Sequence, residues 1–270
     1  MTAPPKIRRL LLTGAAGGIG RELRARLKDD AEILRVSDIA DLGPARAGEE
    51  VVHCDLADRT AVHALLEGVD AIVHMGGVST EQPYEKILGP NIVGLAHLYE
   101  SARIHGVKRI VFASSNHAIG FYPRTQTIDA DDPPRPDSFY GVSKAFGEDL
   151  SRFYFDRYGL ETVCVRIGSC FPEPRDRRML VTWMSIADLT ELVRQSLSVP
   201  DVGHTIVFGA SANRDSWWDN SKAAHLNWNP RDSSEAFRTK VEGAAPAPDP
   251  NLPSSRLQGG AYVEMGPYYP

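Results

Sequence analysis

Cysteine is scarce in this chain: three in 270 residues, Cys54, Cys164 and Cys170, with no C-x-x-C pair. An odd number at those spacings supports neither a disulfide framework nor a zinc site, and a reducing, cytoplasmic setting is expected. Positive charge is also short. Thirty Lys and Arg face 35 Asp and Glu, a net charge of -5, so there is no electrostatic reason to expect nucleic acid or an anionic membrane as partner. No long apolar run is present. The N-terminal "MTAPPKIRRLLLTG" flows into a glycine-rich turn and reads as neither a signal peptide nor a spanning helix. The histidines show no H-x-x-x-H or other metal spacing, so no metal is expected, and nothing repeats at a solenoid period.

What the chain does have is alternation. Hydrophobic residues make up 42% and charged residues 24%, ordinary for a globular protein, and the length suits one large α/β domain over residues 1–270. Short apolar runs ("IRRLLLTG", "EILRVSD", "DAIVHMGG", "RIVFASS", "ETVCVRIGS", "HTIVFGAS") read as strands. Between them, "NIVGLAHLYESARIHG" and "YGVSKAFGEDLSRFYFDRYG" read as helices, and "CDLADRTAVHALLEG" as a turn. Strand and helix in steady alternation predict right-handed βαβ units, hence a Rossmann-type doubly wound parallel sheet. Beyond residue 170 the texture changes. A proline- and charge-rich loop, "CFPEPRDRRML", precedes the amphipathic helix "SIADLTELVRQSL", opened by a cap-like Ser185. The final "APAPDPNLP" and "GPYYP" predict a small C-terminal lobe with an extended tail. Trp217 and Trp218 read as core or interface packing, not as a sugar platform.

The first strand runs into "LLLTGAAGGIGREL", with Gly14, Gly17, Gly18 and Gly20 at the mouth of the first helix. Glycine permits the tight turn and lets backbone N–H groups approach a pyrophosphate, whose charge the helix N-terminus favours. Strand, turn and helix are the context that dinucleotide binding requires. At the end of the second strand, Asp38 can accept hydrogen bonds from ribose hydroxyls and repel a 2′-phosphate, so NAD is expected rather than NADP. Asp55, at a further strand end, suits either the adenine amino group or the capping of a turn.

In "DSFYGVSKAFGEDL", Tyr140 and Lys144 stand four apart and share one helix face. An isolated pair of this kind can be a half-buried tyrosine beside a solvated lysine. It can also be a proton-transfer pair, a phenol made more acidic by a neighbouring ammonium.

The run of "TGAAGGIG", "DLAD", "IVHMGG", "NIVGLAHLYESARIHGVKRIVFASS" and "YGVSK", in that order, resembles the extended short-chain dehydrogenase/reductase superfamily over roughly residues 8–170. The resemblance implies Ser115 as the catalytic serine, Tyr140 as general acid/base, Lys144 as its partner and Asn91 as a brace for the active-site helix. It also implies a cofactor surface of Gly14, Gly17, Gly18, Ile19, Gly20, Asp38, Asp55, Leu56, Met75, Gly76, Asn91, Ala113, Tyr140, Lys144 and Ile167. The chemistry is coherent: removing hydride from a carbinol carbon leaves a proton that needs an acceptor, and a free phenol with pKa about 10 is too weak a base at neutral pH.

"FASSNHAIGFYP", "GSCFPEP", "RML" and "GASANRDSWWDN" are similar to the uronate dehydrogenases, which oxidise the anomeric carbon of galacturonate or glucuronate with NAD. A uronate carries a carboxylate, and an arginine fork matches it in bidentate fashion. Arg175, Arg177 and Arg178 are all available. The resemblance, not the residues alone, selects Arg178. It further implies sugar contacts from Ser79, Asn116, His117 and Ser169 beside Ser115 and Tyr140. Gly18 departs from relatives that carry a larger polar residue there. The rival expectations are a nucleotide-sugar epimerase or dehydratase, which needs a larger C-terminal lobe, and a non-catalytic NAD-sensing regulator, which has no need of the intact trio. A homo-oligomer is expected.

Overall fold

The computed structural model describes residues 7–244, 247–266 and 268. Its centre is β1 (Arg9–Thr13), whose three leucines are fully buried because helices cover both faces of a parallel sheet. Leu10 and Leu12 pack with Leu23, Leu189, Leu192 and Val193, whereas Leu11 packs with Val62, Leu65, Leu98, Tyr99 and Tyr154. Alternate residues of one strand thus feed two separate cores.

The other strands are β2 (Ile33–Asp38), β3 (Glu49–His53), β4 (Ala71–His74), β5 (Arg109–Ser115), β6 (Glu161–Ile167) and β7 (His204–Gly209). They form one seven-stranded sheet in the order β3-β2-β1-β4-β5-β6-β7, parallel throughout. The doubly wound Rossmann-type expectation is met. The order turns back between β1 and β4, which opens a crevice at the carboxyl ends of the strands. The helices are α1 (Gly18–Arg26), α2 (Arg59–Leu65), α3 (Tyr84–Ile87), α4 (Gly94–Ile104), α5 (Phe139–Tyr158), α6 (Met179–Thr182), α7 (Ile186–Ser198), α8 (Arg238–Ala244) and α9 (Pro253–Arg256). Ser138 caps α5 by accepting the Gly141 N–H, and Ser185 caps α7 by accepting that of Asp188.

Three local expectations need correction, and one strand was not read from the sequence at all. The stretch read as a turn contains α2, started by Asp58, whose carboxylate accepts the N–H groups of Thr60 and Ala61. "EEVVH" forms the edge strand β3, too polar to stand out as a strand. The helix read from Asn91 begins as a π-helical turn, Leu88–Val93, before continuing as α4. The tail is not merely extended: it contains α9 and a 3₁₀ turn, Gly260–Glu264. It is pinned to the loop after β5, where Gly259 N–H donates to Gly120 O and Gln258 N–H to Tyr122 O. Of the quoted tail segments, residues 245, 246, 267, 269 and 270 lie outside the described residues. Trp218 packs as expected, stacked on Phe208 at 5.4 Å.

Candidate active site

The glycine turn is built by exclusion. A Cβ on Gly14, whose φ is +68°, would lie 2.5 Å from the Met75 carbonyl carbon, and one on Gly20 would overlap Gly14 O. A Cβ on Gly18 would meet nothing within 4 Å, so the residue that departs from the resemblance is also one with room for a side chain. The turn is held from β2: one oxygen of Asp38 accepts the Ala16 N–H at 2.9 Å and the other that of Ala40 at 3.0 Å. These contacts place the carboxylate beside the turn, and each oxygen keeps a lone pair. Asp55 accepts the Ala57 N–H, the turn-capping alternative, and this leaves its second oxygen for other use.

The strand ends supply the rest of the crevice. Met75 and Gly76 follow β4, Ala113 and Ser115 close β5, and Ile167 closes β6. Leu56 lies against Gly76, and Ile19 sits in the first turn of α1. Ser79 is exposed on the loop after β4. Asn91 turns inward: its amide accepts the Val78 N–H and donates to Val78 O and Ser143 Oγ. With both ends engaged, its side chain braces the β4 loop against α5.

Helix α5 brings the trio together. Lys144 is buried and donates to Ala113 O at 2.8 Å, 5.5 Å from the Tyr140 ring centre. Burial lowers its ammonium to about 8. Burial also raises the Tyr140 phenol above its ordinary value, and a hydrogen bond with Ser115 opposes this only in part. Tyr140 N–H donates to the buried Glu81 carboxylate at 2.7 Å, which fixes the start of α5 to the β4 loop. Under the trio, His74 is held neutral: burial and the nearby Lys144 push it down to about 3, and it hydrogen bonds to Thr13 Oγ1.

The far wall of the pocket is cationic. Arg178 Nε donates to Gln258 O at 2.6 Å, and its Nη1 reaches Ser169 Oγ at 3.4 Å. With the Asn116 amide oriented by its neighbours, Nδ2 donates to Ile167 O and Oδ1 accepts from Arg178 Nη2 at 2.5 Å. No carboxylate lies within salt-bridge distance of Arg178 among the described residues, and burial lowers its guanidinium to about 10. Its neighbours differ. Arg175 stacks on Phe171, and Arg177 donates to Glu242 O.

His117 sits between these two regions. Its backbone N–H donates to Ser115 Oγ, its Nδ1 lies 2.8 Å from Asp137 Oδ2, and its ring stacks on Tyr262 with centroids 3.6 Å apart. Burial lowers its pKa, with Asp137 acting in the opposite direction. Asp137, Glu81, Gln258 and Tyr262 were all missed in the sequence. Each reaches the site through a contact between segments distant in the chain, and no local spacing announces it.

The comparisons with known proteins agree with this geometry. The model of the NAD dependent epimerase/dehydratase family matches residues 10–204. A uronate dehydrogenase from Pseudomonas putida is 61% identical, over 99% of this chain and 100% of its own. The chain belongs to this family, on its uronate dehydrogenase branch. Among solved structures, a glucuronic acid dehydrogenase from Chromohalobacter salexigens is 53% identical with a TM-score of 0.95, covering 96% of this chain and 98% of its own. A mutant uronate dehydrogenase from Agrobacterium tumefaciens, complexed with NAD, is 54% identical with a TM-score of 0.94 at the same coverage. Membership makes the chain an NAD-dependent oxidoreductase, and the glycine turn with Asp38 fits that cofactor.

Proposed function

We propose that this chain oxidises the ring form of a hexuronic acid, galacturonate or glucuronate, at C1 to the aldarolactone. The observation that carries the reading is Arg178, a half-buried guanidinium without a carboxylate partner among the described residues, bonded to Asn116 directly beside Ser115. A partly buried cation left unpaired is costly, and an anionic ligand offsets that cost.

In this reading Gly14, Gly17, Gly18, Ile19, Gly20, Asp38, Asp55, Leu56, Met75, Gly76, Ala113 and Ile167 form the surface against which NAD lies. Bound there, NAD would supply the hydride acceptor for C1 and a positive charge that favours the phenolate of Tyr140. Ser115 Oγ holds the reacting oxygen, and Tyr140 takes its proton. Lys144, anchored to Ala113 O, holds the nicotinamide ribose and stabilises the phenolate. Arg178 clamps the carboxylate at the other end of the sugar, while Ser79, Asn116, His117 and Ser169 contact hydroxyls. A cyclic hemiacetal gives a lactone directly on loss of hydride, so no free aldehyde needs shelter.

The same reading places the enzyme in a reducing cytoplasm, where its three thiols stay free. Copies would pair through the exposed apolar side chains of α5, Val142, Phe153 and Tyr158. The test is NADH formation by the purified protein with galacturonate, glucuronate, galactose and glucose. Turnover of the acids alone is expected. No turnover of either acid, with UDP-glucuronate bound tightly instead, would overturn the substrate in favour of a nucleotide-sugar.

A further inference from the structure

Asp137 has no part in the proton transfer just described, yet its side chain is entirely shielded from solvent. It immediately precedes Ser138, the cap of α5. Its Oδ1 accepts the Ser138 hydroxyl at 2.8 Å, and that hydroxyl accepts the Gly141 N–H at 3.0 Å. Its Oδ2 faces His117 Nδ1 at 2.8 Å. Room for the carboxylate is provided by two glycines: a Cβ on Gly120 or on Gly259 of the tail would overlap Oδ2.

An ionised carboxylate only accepts hydrogen bonds, so Nδ1 of His117 must carry a hydrogen. On a neutral imidazole that leaves Nε2 bare, an acceptor without a donor among the described residues. The ring cannot swing away. Its backbone is tied to Ser115 Oγ, Tyr262 stacks on one side, and Tyr140 lies edge-on with centroids 5.9 Å apart.

We propose that Asp137 is a positioning residue: by fixing the Nδ1–H tautomer of His117, it turns Nε2 into an acceptor for one hydroxyl of the sugar. The inference rests on the uronate reading above. It adds a reason for substrate choice, because a group that can only accept recognises a hydroxyl and gives nothing to a position that lacks one.

The experiment is a cycle between protein and substrate. The values of kcat and KM are measured for glucuronate and for 2-deoxy-, 3-deoxy- and 4-deoxyglucuronate, with the unmodified enzyme and with D137N. The neutral amide can present its NH2 group to His117 and reverse the tautomer. For glucuronate, D137N should lower kcat/KM by about 10- to 100-fold, mainly through KM, the scale of leaving one enclosed hydroxyl without its acceptor. For the analogue that lacks the recognised hydroxyl, the same substitution should cost no more than about 3-fold, because the contact is already absent. NAD affinity should not change. An equal loss on all four substrates would reduce Asp137 to a support for the start of α5 and overturn the proposal.

A second measurement needs no variant and no turnover. The ¹⁵N shifts of His117 in the unmodified protein should show a protonated Nδ1 and a bare Nε2; the reverse pattern sinks the idea. Failure of glucuronate turnover in the unmodified enzyme would instead fall on the substrate reading, while the tautomer remains testable.

Discussion

Replacing Arg178 with lysine keeps a positive charge and removes the planar fork; replacing it with alanine removes both. The arginine has five N–H donors, and three are committed inside the protein, to Gln258 O, Ser169 Oγ and Asn116 Oδ1. Two remain, which is what a bidentate carboxylate requires. A hydrogen bond to a charged group contributes about 1.5–3 kcal/mol. Losing one to R178K should cost about 2 kcal/mol, or ~30-fold in kcat/KM for glucuronate, and losing both to R178A about 4 kcal/mol, or ~1000-fold. The discriminating probe is glucuronamide, which has the same shape without the charge. Unmodified enzyme should prefer the acid strongly, and R178A should use the two about equally. The assay is initial-rate NADH formation, with a thermal melt of each variant, because the truncation also leaves Gln258 O and Asn116 Oδ1 without their donor. If R178A keeps the unmodified preference for the acid over the amide, Arg178 only supports the pocket wall and the clamp is refuted.

Three further outcomes are expected. Y140F should lower kcat by about 10³-fold or more while leaving the NAD dissociation constant within a factor of ~3, since the ring stays and only the proton acceptor is lost; near-normal turnover contradicts the mechanism. K144M should be inactive but more stable at pH 7. Burial lowers Lys144 to about 8 from 10.5, so the unfolded chain binds the proton more tightly. The resulting penalty is complete below pH 8 and disappears as pH rises to 10.5. Allowing for the lost bond to Ala113 O, the gain at pH 7 should be about 2 kcal/mol and should shrink across that window in denaturant melts; a K144M variant less stable at pH 7 would refute the argument. In the glycine turn, G18S should bind NAD within a factor of ~3 of the unmodified chain, because nothing lies within 4 Å of its Cβ position, whereas G20A should bind at least ~100-fold more weakly, as its methyl would overlap Gly14 O; calorimetric titration with NAD separates the two.

The features legible in the sequence are those whose causes are local. The run "RIVFASS" coincides with β5, Ser185 caps α7, and Tyr140 and Lys144 meet because a helix places every fourth residue on one face. The glycine turn is legible for the same reason, as its steric demands come from residues a few positions apart and from one neighbouring strand. The edge strand β3 and the helix α2 escaped, one for want of an apolar face and the other because seven residues scarcely establish a period. The pocket wall escaped for a different reason: Arg178 and Gln258 are 80 positions apart, and His117 and Asp137 are 20 apart with no repeating pattern between them.

The three arginines of "PRDRRML" make the distinction sharpest. In the sequence they differ only by position, and resemblance alone selected Arg178. In the fold they differ in what offsets their charge. Arg175 lies over the Phe171 ring, with its centre 3.8 Å away, and Arg177 bonds to α8 at the protein surface. Arg178 is enclosed by neutral acceptors that orient it without neutralising it. Desolvation disfavours a charge wherever it acts, so of these three the half-buried guanidinium held by neutral acceptors is the one with most to gain from an incoming carboxylate. The physical basis for choosing it is therefore absent from the local sequence: it is created when the tail folds back and places Gln258 and Gly260 against that side chain.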